Sequence, residues 1–219
     1  MRKLRRAIVA LIACISLVIA GCGAHRCPVP PRLAVGGRPI VDVHVYVGPE
    51  FTERERANIV NGILMWERAT NGMVVWHMLP YDPKNPPPPP AGRHADGTEE
   101  RSVLFRRAVS TDEWVVKWDA DHAPKKTLLG LCQGNSLKEV TWLWLVENRL
   151  TTPEAETIIA AHEFGHAIGL DHIEHKGSVM SEFYNPATKC LTPADMDEFC
   201  KKHGCNPTTT TTTPVCKPE

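Results

Sequence analysis

No stretch of the 219 residues is long and apolar enough to cross a bilayer. The charge-free run Ala7 to Ala20 has fourteen residues, where a spanning helix needs about 20. Neither sign of charge dominates, since 25 Lys and Arg face 25 Asp and Glu. That balance excludes the concentrated basic surface of a nonspecific nucleic-acid binder, so no nucleic-acid partner is expected. Internal repeats are absent too, which removes solenoids and arrays. What is present, 42% hydrophobic and 23% charged residues, describes one soluble globular domain with a real core.

Arg2, Lys3, Arg5 and Arg6 precede the short apolar run, the pattern of an export signal over residues 1–21. The run ends Ile19-Ala20-Gly21-Cys22, which resembles the lipobox of bacterial lipoproteins, where cleavage precedes a Cys that is then lipidated. The resemblance implies a membrane attachment through Cys22, and Gly23 in place of Asp points to the outer membrane; without the anchor, the chain would be secreted or periplasmic. Without residues 1–21, 21 basic side chains face 25 acidic ones. Beyond Cys14 and Cys22, the cysteines are Cys27, Cys132, Cys190, Cys200, Cys205 and Cys216. In an oxidising compartment three disulfides are expected, with the pairing open and at least one bridge pinning the C-terminal helix.

Residues 22–37 are rich in Pro and Gly and read as a tether. Ile40 to Val47 alternates with one aliphatic face, a strand, and Thr52 to Asn71 has the apolar spacing of a long amphipathic helix. Met73 to Leu79 is a second strand, and Pro86 to Pro90 forces an exposed loop up to Gly97. Val103 to Val109, Trp114 to Trp118, Thr127 to Leu131 and Val140 to Val146 are further strand candidates. Thr151-Thr152-Pro153-Glu154 opens a helix reaching about Leu170, and Thr192-Pro193 opens another to His203. The fold class is α+β over residues 38–205, followed by a Thr-rich tail over residues 206–219.

The chemistry lies in His162-Glu163-Phe164-Gly165-His166-Ala167-Ile168-Gly169-Leu170-Asp171-His172. Residues four apart share a helix face, so His162 and His166 offer two imidazoles to one cation. Gly169 can end the helix in a left-handed conformation and bring His172 back as a third ligand. Catalytic zinc takes three protein ligands and leaves a fourth position to water, with Glu163 placed as its general base.

This HExxHxxGxxH pattern resembles that of the metzincin zinc peptidases. Ser178-Val179-Met180-Ser181 is similar to their Met-turn, at the spacing of matrixins, and Tyr184 stands where matrixins line the specificity pocket. Leu191-Thr192-Pro193-Ala194-Asp195 is similar to the matrixin ending as well. The resemblance implies a metzincin-like mixed twisted sheet with two long helices, a Met-turn and a C-terminal helix. It also implies one catalytic zinc and a peptide or protein substrate lying extended along Val140 to Val146. Trp142 and Trp144 of that strand read as core. Ile173 departs from matrixins, which have Ser there, and Glu182 occupies the place of a zinc-binding Tyr in astacins and serralysins.

Matrixins hold a second, structural zinc through a His-x-Asp segment. His94-Ala95-Asp96 with His77 and His122 offers the residue types at ill-matching spacings, so an additional zinc or calcium is a weaker expectation. Arg26-Cys27-Pro28 is similar to the matrixin cysteine switch, but cysteine parity favours a disulfide for Cys27. His175 reads as surface. A monomer is expected. The competing function is a catalytically silent, zinc-containing envelope binding or adhesion lipoprotein, which an intact Glu163 disfavours.

Overall fold

The computed structural model describes residues 39–123, 126–134 and 136–205. The export signal, Cys22, the tether with Cys27 and the Thr-rich tail lie outside the described residues. The strands β1 (Val41–Val47), β2 (Val74–Met78), β3 (Glu99–Ala108), β4 (Gly130–Gln133) and β5 (Thr141–Val146) form one sheet, ordered β2-β1-β3-β5-β4. All neighbours run parallel except β4, which is antiparallel to β5. The helices among the described residues are α1 (Glu53–Ala69), α2 (Glu113–His122), α3 (Pro153–Ala167) and α4 (Pro193–His203). The expected α+β metzincin-like fold is present, and no described helix is long and apolar enough to cross a membrane.

The alternation in β1 works as expected. Val41, Val43 and Val45 are fully buried in the main core with Val103, Phe105, Leu143 and Leu145. Helices α1 and α3 cover this face. Thr52 starts α1 with a reciprocal capping box to Glu55, and Ile59, Ile63 and Trp66 supply its buried stripe. The two helices touch closely: a Cβ on Gly62 would lie 2.7 Å from the Thr157 carbonyl oxygen, and the Trp66 indole donates to the Ala161 carbonyl at 2.8 Å. The carbonyl of Ala161 belongs to the turn that carries His162, so this helix contact fixes the height of that histidine over the sheet.

Three expectations need correction. Trp114 to Trp118 is helix, not strand. Its Trp and Val content suggests β structure, but Trp114 and Trp118 are four apart and Val115 is fully buried in a smaller core with Ala108, Leu128 and Val146. This core lies on the opposite face of the sheet, beside Trp144, and accounts for the apolar spacing. Second, Val140 to Val146 is an inner strand as β5; the edge nearest α3 belongs to β4, whose four residues are too short a pattern to reveal it. Third, Cys132 is a free thiol, so three bridges among the six cysteines do not form. Cys200 and Cys205 are joined, pinning the end of α4 as expected, and Cys190 is also disulfide-bonded.

Trp142 and Trp144 stack at 6.1 Å between ring centroids, with the Arg106 guanidinium 5.8 and 5.6 Å from the two rings. They are half-buried on the face away from α3, in keeping with a structural role.

Candidate active site and metal centre

Helix α3 presents His162 and His166 on one face, and the chain then reverses to bring in His172. Gly169 makes the reversal possible with φ of 102°, a region that side-chain-bearing residues rarely adopt. The C-terminal carbonyls of α3 are satisfied from outside the helix. Arg101 donates to the Ala167 oxygen at 2.8 Å while paired with Glu99 at 2.8 Å, and His203 of α4 reaches the Ile168 oxygen at 2.9 Å. Sequence reading missed both, since each lies more than thirty residues from its partner.

The three Nε2 atoms converge, 3.1 Å from His166 to each of its neighbours and 3.3 Å between His162 and His172. Nδ1 of His162 lies 2.7 Å from the Val179 carbonyl oxygen and Nδ1 of His166 lies 2.7 Å from that of Leu170. A carbonyl only accepts, so both Nδ1 atoms carry the proton and both Nε2 atoms turn lone pairs inward. Burial, with His166 nearby, pushes His162 down to about 3, and burial lowers His166 and His172 too. Lone pairs of His162 and His166 turned inward beside the His172 Nε2 offer a ready seat for a cation. Four ligands at about 2.05 Å in a tetrahedron would place nitrogens about 3.3 Å apart, so the donor set fits zinc.

Glu163 lies deep beside this trio. Its buried carboxyl is pushed up to about 8 by that burial. The edge strand makes room for it at Gly130, where a Cβ would sit 2.4 Å from Oε1 of Glu163. Nothing in the sequence marks Gly130 as part of the site, because the contact joins residues 33 positions apart. Cys132, on the same strand, has its thiol pushed up to about 12, chiefly by burial and then by the charge of Glu163.

Met180 is fully buried beneath the histidines. Gly165, inside the motif, leaves the space for it: a Cβ there would lie 2.3 Å from the Met180 sulfur. The turn is held by Asp195 of α4, which is completely buried. Its carboxylate accepts from the Ser178 hydroxyl at 2.6 Å and from the backbone N–H groups of Val179 and Met180 at 3.2 and 3.0 Å. The same carboxylate accepts from the Thr192 N–H at 2.7 Å and its hydroxyl at 2.8 Å, closing the capping box of α4. One side chain thus fastens both the Met-turn and the start of the last helix.

A cleft of about 490 Å³ opens over the metal centre, bounded by β4 on one side and residues 178–188 on the other. Tyr184 lines it, as expected, with Leu128, Ile158 and Phe183. Glu182 forms an ion pair with Lys126 at the cleft mouth. His122 also faces this cleft, stacked on Trp118 at 4.0 Å, whereas His77 lies at the opposite edge of the sheet on β2. The grouping of His77, His94, Asp96 and His122 is therefore not formed. His175 is exposed.

Residues 113–202 match the model of the matrixin peptidase family, a segment running from the start of α2 through almost all of α4. No curated protein matches the chain. The matched segment contains the three converging imidazoles, the buried Met180 and the capped helix that holds its turn, and over this segment the chain is similar to the matrixin peptidases.

Proposed function

We propose that this chain is a zinc-dependent endopeptidase that hydrolyses peptide bonds of proteins outside the cytoplasm. The carrying observation is the inward-facing Nε2 trio with a buried carboxylate beside it and an open cleft above. His162, His166 and His172 would hold the zinc. When bound, zinc acts as a Lewis acid and brings the pKa of a coordinated water to about 7.

Edge strand β4 presents backbone donors and acceptors along one wall, so an extended peptide pairs with it by strand addition. This replaces β5 as the substrate-aligning strand. Tyr184, Leu128 and Phe183 offer an apolar subsite for a neighbouring substrate side chain. Glu163, in a water-poor pocket, takes the proton of the attacking water and delivers it to the leaving amine nitrogen. Gly130 keeps the floor open so that Glu163 can hold that position.

The direct test is cleavage of a quenched peptide library by the purified chain, with and without a zinc chelator. Chelator-sensitive cleavage restored by zinc is expected. Bound zinc with no cleavage of any member would favour the silent binding module instead. Gly130→Ala is expected to displace the Glu163 carboxylate by around an ångström and reduce turnover about 100-fold. Zinc content, measured on the same sample, should not change; full turnover in the variant would remove Gly130 from the site.

The lipobox-like Ile19-Ala20-Gly21-Cys22 supports an export route ending at the outer membrane through a lipidated Cys22. Cys22→Ser should shift the protein from the membrane fraction to the soluble one, and an unchanged distribution would discard the anchor.

A further inference from the structure

More than β4 walls the cleft over the metal centre. The end of α2 lies along it too, and Trp118 and His122 line the same space as Tyr184 and the three converging imidazoles. Trp114, Trp118 and His122 are spaced four residues apart, so they form one stripe on that helix. At the inner end of the stripe Trp114 packs on Trp144, with ring centroids 5.5 Å apart, against the small core that holds Val115. At its outer end His122 is exposed in the cleft.

Three contacts hold this ledge. The His122 ring lies flat on the Trp118 indole, with centroids 4.0 Å apart and planes 13° from parallel. Its Nδ1 lies 2.7 Å from the Trp118 carbonyl oxygen, so Nδ1 donates, and in the neutral ring Nε2 remains an acceptor. Asp119 accepts from the Leu128 N–H at 3.1 Å and pairs with Arg149, which donates to the Leu128 oxygen at 2.7 Å. Helix α2 is thereby tied to the segment leading into β4.

An exposed side chain ordinarily loses rotamer freedom when a ligand orders it. His122 is ordered already, with one ring face on Trp118 and the other open, so a ring that stacks there meets a prepared surface. Lys126 is taken up by Glu182 on the opposite wall and Asp119 by Arg149, which leaves the ledge to select by shape rather than by charge. We propose that Trp118 and His122 form a second substrate subsite, for an aromatic side chain, at a substrate position other than the one read by Tyr184. The incoming ring stacks on the open face of His122, and a substrate backbone N–H donates to Nε2. The substrates are then extended segments that carry an aromatic residue near an apolar one. This assignment rests on the cleft being the peptide groove proposed above.

The test is a series of quenched peptides of one sequence in which a single Tyr is moved along the chain and replaced in turn by Ala. At one position besides that of the Tyr184 subsite, kcat/KM is expected to be about tenfold higher with Tyr than with Ala. In His122→Ala this ratio should fall to near one; in His122→Phe, which keeps a ring on Trp118, most of it should remain. Binding of the same peptides to the zinc-loaded Glu163→Gln chain, followed by fluorescence, gives a reading free of hydrolysis. The Tyr peptide should bind about tenfold more tightly than its Ala counterpart, and adding His122→Ala should remove the difference. Chelator-sensitive cleavage without this preference, or with a preference that survives His122→Ala, would overturn the subsite and leave the peptidase reading standing. Tyr-selective binding that depends on His122, with no hydrolysis by the parent, would support the subsite and overturn the peptidase reading.

Discussion

Replacing Glu163 by Gln is expected to reduce peptide hydrolysis by about 10²- to 10⁴-fold, the range assigned to a positioned general base. Zinc content should stay unchanged. Gln has the same shape as Glu and fits the space that Gly130 leaves, so the three imidazoles need not move. It cannot take a proton from water or return one to the leaving amine, so turnover falls while the metal centre remains. His166→Ala supplies the contrast, since losing one of three converging nitrogens should abolish metal retention and hydrolysis together. Single-turnover assays alongside metal analysis separate the two outcomes. Hydrolysis at the parental rate in Glu163→Gln would remove the residue as the base.

The second large effect is expected at Asp195, far from any reacting atom. Asp195→Ala strips acceptors from the Ser178 hydroxyl and from the N–H groups of Val179, Met180 and Thr192 in a completely buried setting. Hydrogen bonds to a charged partner contribute about 1.5–3 kcal/mol each, and the orphaned donors cannot reach water. Allowing for partial relaxation, a destabilisation of about 4 kcal/mol is expected, or a melting temperature lower by about 10 °C for a domain of this size. Thermal melts with and without zinc would show it, with zinc affinity reduced because the Val179 carbonyl orients His162. Asp195→Asn should be milder, retaining one acceptor. A variant within about 1 kcal/mol of the parent would mean that packing alone holds the turn.

The grouping of His162, His166 and His172, Glu163 beside them, the turn at Met180 and the two helix starts were legible in the sequence because each depends on spacing within a few residues. Helical periodicity set His162 beside His166, and Gly169 with a positive φ made the return of His172 readable. Hydroxyl and Pro signals at Thr152-Pro153 and Thr192-Pro193 fixed where α3 and α4 begin. What could not be read depends on contacts distant along the chain. Arg101 and His203 cap α3 from β3 and α4, and Gly130 matters only because β4 passes over Glu163. The Trp and Val content of α2 favours a strand locally, and burial of Val115 in the small core decides for a helix. Choosing between β4 and β5 as the edge required the pairing of the sheet, which four residues of pattern do not carry.

The fastening of the Met-turn by Asp195 also carries an order along the chain. Met180 precedes its anchor by fifteen residues, and His203, which caps the end of α3, follows later still. The three histidines therefore come before the parts that hold their floor and their helix end. A chain cut before Thr192 has the His162-to-His172 motif but neither the Asp195 carboxylate under its turn nor the His203 cap on its helix.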